Sequence, residues 1–173
     1  MMLTGSEIMR MVDAGGIVID PYDPAMIEPN SYGFRLGESL LEYKEQVIDP
    51  TQKLDYIEHQ IGEEGFVFHP GRFYLGHTYE RIGGVDYASE LFANLSTAMC
   101  GVFLQTSAPL GHTGAVIRWT LEITVAHEVR LYPRMRIGKI CFWKNMGDIQ
   151  NYSGRYLDSE SVVESRIIED RTA

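Results

Sequence analysis

Long apolar runs are missing from this 173-residue chain, and no stretch approaches the ~20 apolar residues that cross a bilayer. The N-terminus has no basic segment followed by an apolar run. The sequence therefore predicts no secretory leader and a soluble, cytoplasmic protein. Cysteine is scarce. Cys100 and Cys141 both sit among apolar neighbours, and two lone cysteines without an export signal predict buried thiols rather than a disulfide. Cations are few as well: 15 Lys and Arg against 24 Asp and Glu give a formal charge of −9. That balance argues against a partner with a nucleic-acid backbone, which needs clustered positive charge. It leaves room for a nucleotide, whose phosphates a few placed donors can hold against the opposing long-range field.

Several chemistries lack their signatures. Neither His-x-Glu nor Pro-Cys-x-x-Cys is present, so the zinc-dependent nucleobase deaminases are excluded and no zinc is expected. There is no phosphate-binding P-loop, no dinucleotide glycine pattern and no Gly-x-Ser-x-Gly nucleophile elbow. His59, His69, His77, His112 and His127 form no helical i, i+4 pair for a metal.

What is present is ordinary globular composition, 45% apolar and 23% charged, at a length that suits one domain over residues 1–173. Thr4-Gly5-Ser6-Glu7 has the capping-box pattern, with Ile8, Met11 and Val12 on one helical stripe and Gly15-Gly16 as the stop. An extended Ile17-Val18-Ile19 follows. Beyond residue 34 helical periodicity fades and short β-rich runs recur: 66–68, 73–75, 102–104, 115–117, 120–125, 129–131 and 137–143. Turn residues often sit between them, which predicts a mainly β sandwich or barrel with a short N-terminal helix. Residues 86–92 read as a small helical turn. The polar, Ser-rich stretch 144–173 reads as a tail that frays or packs on a neighbouring subunit.

Glu122 is the leading candidate for chemistry. It lies in the strand-forming run Thr120-Leu-Glu-Ile-Thr-Val and shares a face with Thr120 and Thr124, opposite Leu121 and Ile123. A carboxylate on a buried strand face has its pKa raised, which suits a general acid/base near neutral pH. On an exposed face the same residue is simply solvated, and the residues alone leave both readings open.

Five stretches carry a resemblance that spans nearly the whole chain. They are Ile27-Glu-Pro-Asn-Ser-Tyr-Gly-Phe-Arg-Leu-Gly37, Phe68-His-Pro-Gly71, Trp119-Thr-Leu-Glu122, Leu131-Tyr-Pro-Arg-Met-Arg-Ile-Gly138, and Tyr152-Ser-Gly-Arg-Tyr156 with Ser165-Arg-Ile167. In this order they resemble the dCTP deaminase branch of the dUTPase-like superfamily. The resemblance implies a dUTPase-like distorted β-barrel and a homotrimer with sites between subunits. It implies zinc-free hydrolytic deamination of a cytosine nucleotide, with Glu122 shuttling protons. It places Ser96 and Ala108 in the catalytic set, and Tyr152, Arg155, Tyr156, Arg118 and His112 around the nucleotide. The C-terminal segment is expected to close over the ligand. Mg²⁺ is expected on the bound phosphates, held by phosphate oxygens and waters.

The departures are as informative. The family's Arg-Ser-Ser-Leu-x-Arg-x-Gly falls on Asn94-Leu-Ser-Thr-Ala-Met-Cys-Gly101, which keeps Ser96 and loses both arginines to Asn94 and Met99. Each lost guanidinium removes charge-assisted bonds worth ~1.5–3 kcal/mol. The family's Thr-Ala-Gly-x-Ile-Asp-Pro-Gly falls on Ser107-Ala-Pro-Leu-Gly-His-Thr-Gly114. His112 takes the place of the aspartate that activates water in dUTP-hydrolysing relatives. Gly33 stands where the family's Ser-Tyr-Asp-Leu has Asp, Arg134 where its Gly-Met-Arg-Ile-Gly-Gln begins with Gly, and Lys139 where that motif ends in Gln. Arg118, Arg134, Lys139 and Arg155 are candidates for a relocated phosphate site. Two alternatives stay open: a non-catalytic nucleotide-binding or regulatory protein on the same scaffold, and an enzyme for a modified or less phosphorylated nucleotide.

Overall fold

The alternation in Thr120-Leu-Glu-Ile-Thr-Val is obeyed in three dimensions. Leu121, Ile123 and Val125 are buried while Thr120, Glu122 and Thr124 are half-exposed. The computed structural model describes residues 1–104 and 107–171. It contains helix α1 (Gly5–Asp13) and then strands β1 (Ile17–Asp20), β2 (Ile27–Glu28), β3 (Ser31–Arg35), β4 (Ser39–Tyr43), β5 (Tyr56–Gln60), β6 (Phe66–Phe68), β7 (Tyr74–His77), β8 (Arg81–Gly84) and β9 (Tyr87–Ala93). Helix α2 (Leu95–Met99) follows, then β10 (Val102–Leu104), β11 (Leu110–Gly111), β12 (Thr120–Val125), β13 (Val129–Leu131) and β14 (Arg136–Lys144). Short 3₁₀ turns occupy Pro24–Met26 and Ile167–Arg171.

Two five-stranded sheets carry the architecture, ordered β10-β12-β7-β4-β5 and β11-β9-β14-β3-β2. The ribbons β1-β8 and β13-β6 flank them, and every ladder is antiparallel. One apolar cluster joins the sheets. Leu40, Tyr74, Leu121 and Ile123 from the first meet Tyr32, Phe34, Leu91, Ile140 and Phe142 from the second. Full burial of each such side chain contributes roughly 1.5–3 kcal/mol. Strand β14 is paired on both edges, to β3 and β9, with a register shift between Arg136 and Gly138. Gly138 is required there: a Cβ would collide with the Phe34 ring and come 2.7 Å from the Phe92 carbonyl.

The sequence reading holds for the mainly β class and for the strands at 66–68, 102–104, 120–125 and 129–131. It fails in five local places, each for a physical reason. Residues 86–92 are not a helical turn, because seven consecutive partners on β14 hold Tyr87–Ala93 as β9. Ala115-Val-Ile is not a strand and makes only an isolated bridge, Ile117 to Ile82. Thr4 occupies the N-cap without capping, since Thr4 Oγ1 lies 3.1 Å from Ser6 Oγ and Glu7 is drawn to Arg10 rather than back to Thr4. Cys141 is buried, but Cys100 is exposed at the end of α2. The described part of the tail does not fray but packs on its own chain: the Ser165 N–H donates to Tyr43 Oη at 2.9 Å and the Val163 N–H to Thr120 Oγ1 at 3.2 Å.

Candidate active site

Strand β12 delivers Glu122 to the wall of a cavity of about 510 Å³. Phe73 and Leu75 bring the edge of β7 to the same space, in register with β12 through Leu75 and Glu122. Ala108, Leu110, His112, Ala115, Ile117 and Trp119 form the side wall. Trp119 is locked in place, its indole N–H donating to the Ile82 carbonyl at 2.7 Å. Glu122 is half-buried, and among the described residues it has no hydrogen bond or ion pair. Among the described residues the lining is aromatic and aliphatic, with Glu122 and Glu164 as its two carboxylates and no Lys or Arg. Such a space suits a flat, uncharged ring with a few polar edges better than a chain of phosphates.

The C-terminal segment is the roof. Tyr152, Tyr156, Ser159, Val163, Glu164 and Ser165 line the cavity, and the Val163 N–H ties the segment to Thr120 of β12. The Tyr152 N–H donates to the Thr113 carbonyl at 2.8 Å, and its ring stacks on His112 at 5.6 Å with an 8° tilt. The Arg118 N–H donates to the Ser159 carbonyl at 3.0 Å, which fixes the buried Ser159 beside the cavity. Tyr43 closes the rim and accepts from the tail. Burial raises its phenol pKa above the usual value, and Glu164, Tyr156 and Glu45 push it the same way. Tyr43 and Glu164 were not singled out by sequence. Tyr43 meets Ser165 across 122 residues of chain, and no local pattern announces such a contact.

Ser96 lies elsewhere. It lines a second cavity of about 530 Å³ with Asn94 and Thr97, beside Arg130, Arg136 and Lys139. The carboxylate here is Glu28, which is hydrogen-bonded by Ser31 Oγ at 2.6 Å, ion-paired with Arg136 and 4.0 Å from Lys139 Nζ. Gly33 lets the Arg136 side chain lie close against β3, since a Cβ there would come 2.6 Å from Arg136 Nε. That Nε is buried and has no hydrogen-bond partner. The guanidinium is therefore pinned at one end and unsatisfied at the other, a costly state that an added acceptor would relieve.

The sequence candidates thus separate. Glu122, Ala108, His112, Tyr152 and Tyr156 share the first cavity, and Ser96 belongs to the second with Lys139. Arg155 is turned into the tail: its Nη1 donates to the Arg166 carbonyl at 2.6 Å, and Glu169 lies 3.9 Å from its Nε. Arg118 and Arg134 line neither cavity and approach the ring of Tyr79 at 5.9 and 5.0 Å. Arg118, Arg134, Lys139 and Arg155 therefore do not converge as a single phosphate site. Among the described residues no three His, Cys, Asp or Glu side chains converge on a metal position, and no helix is long and apolar enough to cross a membrane.

Comparison with known proteins gives this arrangement its context. A family model described as dCTP deaminase-like matches residues 2–145. The chain is 36% identical over 166 residues to the dCTP deaminase of Rhodopirellula baltica, covering 95% of this chain and 83% of that protein. It is 35% identical over 171 residues to the dCTP deaminase, dUMP-forming, of Leptospira biflexa, covering 98% of each. The crystal structure of 2'-deoxycytidine 5'-triphosphate deaminase from Agrobacterium tumefaciens matches with a TM-score of 0.64 at 17% identity. That match covers 82% of this chain and 47% of the other, and the likeness is one of fold.

Proposed function

The chain belongs to the dCTP deaminase-like family, and from that premise we propose that it is a cytoplasmic enzyme of pyrimidine deoxynucleotide metabolism that deaminates a cytosine nucleotide by hydrolysis. The observation that carries this reading is Glu122, an unpaired, half-buried carboxylate facing an aromatic cavity of about 510 Å³. Glu122 takes a proton from water as the oxygen attacks C4 of cytosine. It returns a proton to the exocyclic nitrogen, which leaves as ammonia, and the ring becomes uracil. Ala108 leaves room for the base and Trp119 bounds it. Tyr152 and Tyr156 cover it, with His112 held against Tyr152. No zinc takes part in this scheme. The substrate enters as its Mg²⁺ complex, with the ion carried on phosphate oxygens and waters.

The charged end of the substrate goes to the Ser96 cavity, where Arg136, Lys139 and Arg130 stand in for the guanidinium groups absent at Asn94 and Met99. Base and phosphates then need both cavities. This supports a homotrimer in which the Ser96 cavity of one copy faces the Glu122 cavity of another. The side chains of Leu95, Met99, Phe103 and Leu110, exposed by 48–77% in the single chain, support such an assembly.

Product analysis tests the reading: purified protein, Mg²⁺, and dCMP, dCDP, dCTP and dUTP, with ammonia and nucleotides quantified. Ammonia in excess over protein with uracil nucleotide formed from a cytosine nucleotide is the expected result. His112 at the aspartate position leads us to expect that the uracil product keeps its phosphates. Release of dUMP and pyrophosphate would assign water activation to another group.

A second reading, a non-catalytic nucleotide binder, rests on Asn94, Met99 and the diversion of Arg155 into the tail. Saturable binding with no product at any pH would establish it. An enzyme for a less phosphorylated nucleotide is separated by affinity: without a triphosphate clamp, the mono-, di- and triphosphate series flattens.

A further inference from the structure

Three arginines from three parts of the chain converge on one aromatic ring outside both cavities. Arg35, at the end of β3, places its guanidinium carbon 4.9 Å from the centre of the Tyr79 ring. Arg134, in the turn before β14, lies at 5.0 Å, and Arg118, just before β12, at 5.9 Å. Two carboxylates offset part of this charge. Glu80 is fully buried and receives Arg35 Nε at 2.5 Å and the Arg35 backbone N–H at 2.9 Å. Glu38 holds Arg134 at 2.9 Å. Arg118 has no ion pair among the described residues, and its Nε is buried without a hydrogen-bond partner. Three cations against two carboxylates leave an excess positive charge, and a buried N–H lacks an acceptor.

The backbone adds a second, independent observation. Tyr132-Pro133-Arg134-Met135 forms a tight turn closed by the Met135 N–H on the Tyr132 carbonyl at 3.3 Å. Proline at the second position and positive φ at the third fit the type II pattern, which favours glycine at that third position. Arg134 occupies it at φ 60, the one non-glycine residue with positive φ among the described residues. The turn is anchored on both sides, by the Arg134 N–H to the Leu36 carbonyl at 2.9 Å and the Leu36 N–H to the Met135 carbonyl at 2.9 Å. A strained backbone that brings a guanidinium to an already cationic cluster signals a use for that charge.

We propose that Arg35, Arg118 and Arg134, gathered on Tyr79, form an oxyanion site that takes a phosphate-type group, separate from the Glu122 and Ser96 cavities. The planar guanidinium forks suit the tetrahedral oxygens of phosphate or pyrophosphate. Arg118 Nε gains its acceptor, and the bound charge relieves repulsion among the three cations. The proposal does not depend on the deaminase reading, because it concerns binding and uses none of the residues assigned to chemistry.

The test uses the full chain and sodium pyrophosphate, with sodium chloride at matched ionic strength as the control. Thermal midpoints are followed as pyrophosphate is titrated into the wild type, into Lys139→Gln, which weakens the phosphate cavity beside Ser96, and into Lys139→Gln carrying either Arg118→Gln or Arg134→Gly. The wild type should show a saturable rise that chloride does not give. Arg118→Gln and Arg134→Gly should each weaken the apparent affinity at least about tenfold, the loss of a charge-assisted contact. Arg134→Gly should also raise the ligand-free midpoint, because glycine relaxes the turn, so its weaker binding cannot be put down to misfolding. Lys139→Gln alone should lose the contribution of the Ser96 cavity and keep a saturable shift that belongs to the arginine cluster. A wild type that responds equally to both salts overturns the proposal. So does a shift that survives Arg118→Gln and Arg134→Gly in the Lys139→Gln background, or one that Lys139→Gln alone abolishes, which would leave the Ser96 cavity as the sole site. Repeating the titration with dCMP and deoxycytidine separates a nucleotide's phosphate from free pyrophosphate. If light scattering shows that Arg118→Gln breaks up an oligomer, the cluster serves a carboxylate of a second copy and the proposal falls.

Discussion

The two cavities are near opposites. The Glu122 cavity is aromatic, bears two carboxylates and no Lys or Arg among the described residues, and lies under the C-terminal segment. The Ser96 cavity is built on α2 and the start of β14 and sets three cations against one carboxylate. The first is organised by strand alternation and by contacts that span most of the chain. The second is organised by side chains three positions apart, Arg136 and Lys139, on a strand fixed along both edges. On the proposed function, the chain divides recognition from chemistry: the carboxylate that handles protons stands in one cavity and the positive charge in the other, and a cytosine nucleotide needs both.

Substitutions sharpen or break this division. The largest expected effect is from Glu122→Gln, which should lower the deamination rate ~10²–10⁴-fold, as loss of a general acid/base does, while the thermal midpoint stays near wild type. Steady-state kinetics with a melting curve checks it, and a variant with full turnover removes Glu122 from the mechanism. Next is Arg136→Gln. Loss of a charge-assisted phosphate contact worth ~1.5–3 kcal/mol should raise KM for dCTP about tenfold or more, with a smaller effect for deoxycytidine. Equal effects on both substrates would show that the Ser96 cavity does not read phosphates. Gly138→Ala tests the strand that supports that cavity. Overpacking against Phe34 should cost about 1–3 kcal/mol in denaturant unfolding, and an unchanged midpoint would mean that the β14 bulge yields freely.

The smallest effect concerns pH and the strand beneath Glu122. His77 is buried at the end of β7, opposite Thr120 of β12. Burial lowers its pKa from the usual 6.5, and the Arg118 charge pushes the same way, while the Thr78 carbonyl opposes them. Unfolding therefore takes up a proton below the unfolded-state pKa. The stability that His77 contributes is complete above about pH 6.5 and is lost as pH falls toward the lowered folded value. Melting curves at pH 7.5 and about 5.5 should differ less in His77→Gln than in wild type. An identical slope in the variant would assign the acid sensitivity to other groups.

How much of this was legible in the sequence depends on the range of the contact. Strand β12 was readable because alternation is local and its neighbours agree with it. The segment Asp86–Phe92 misled, because its isolated preference is indifferent and β14 decides its conformation. Helix α2 is five residues, too short for periodicity to show. Glu122 was found through its strand and its motif. The roof over it was not, since Tyr43, Thr120 and Thr113 meet the tail across 122, 43 and 39 residues. The cationic cavity was half visible: Lys139 was marked as a candidate, but only the fold shows Arg136 beside it, its buried Nε packed against Gly33.

The roof has a kinetic consequence. The segment is held by scattered bonds, Ser165 to Tyr43, Val163 to Thr120, Ser159 to Arg118 and Tyr152 to Thr113, rather than by a continuous ladder. Bonds of this kind break one at a time and reform quickly, so such a cover peels back without unfolding the barrel beneath it. A base that fills the covered space needs that peeling once on entry and once on exit. If the proposed deamination needs this opening, a viscous solvent should slow repeated turnover more than a single pre-bound turnover.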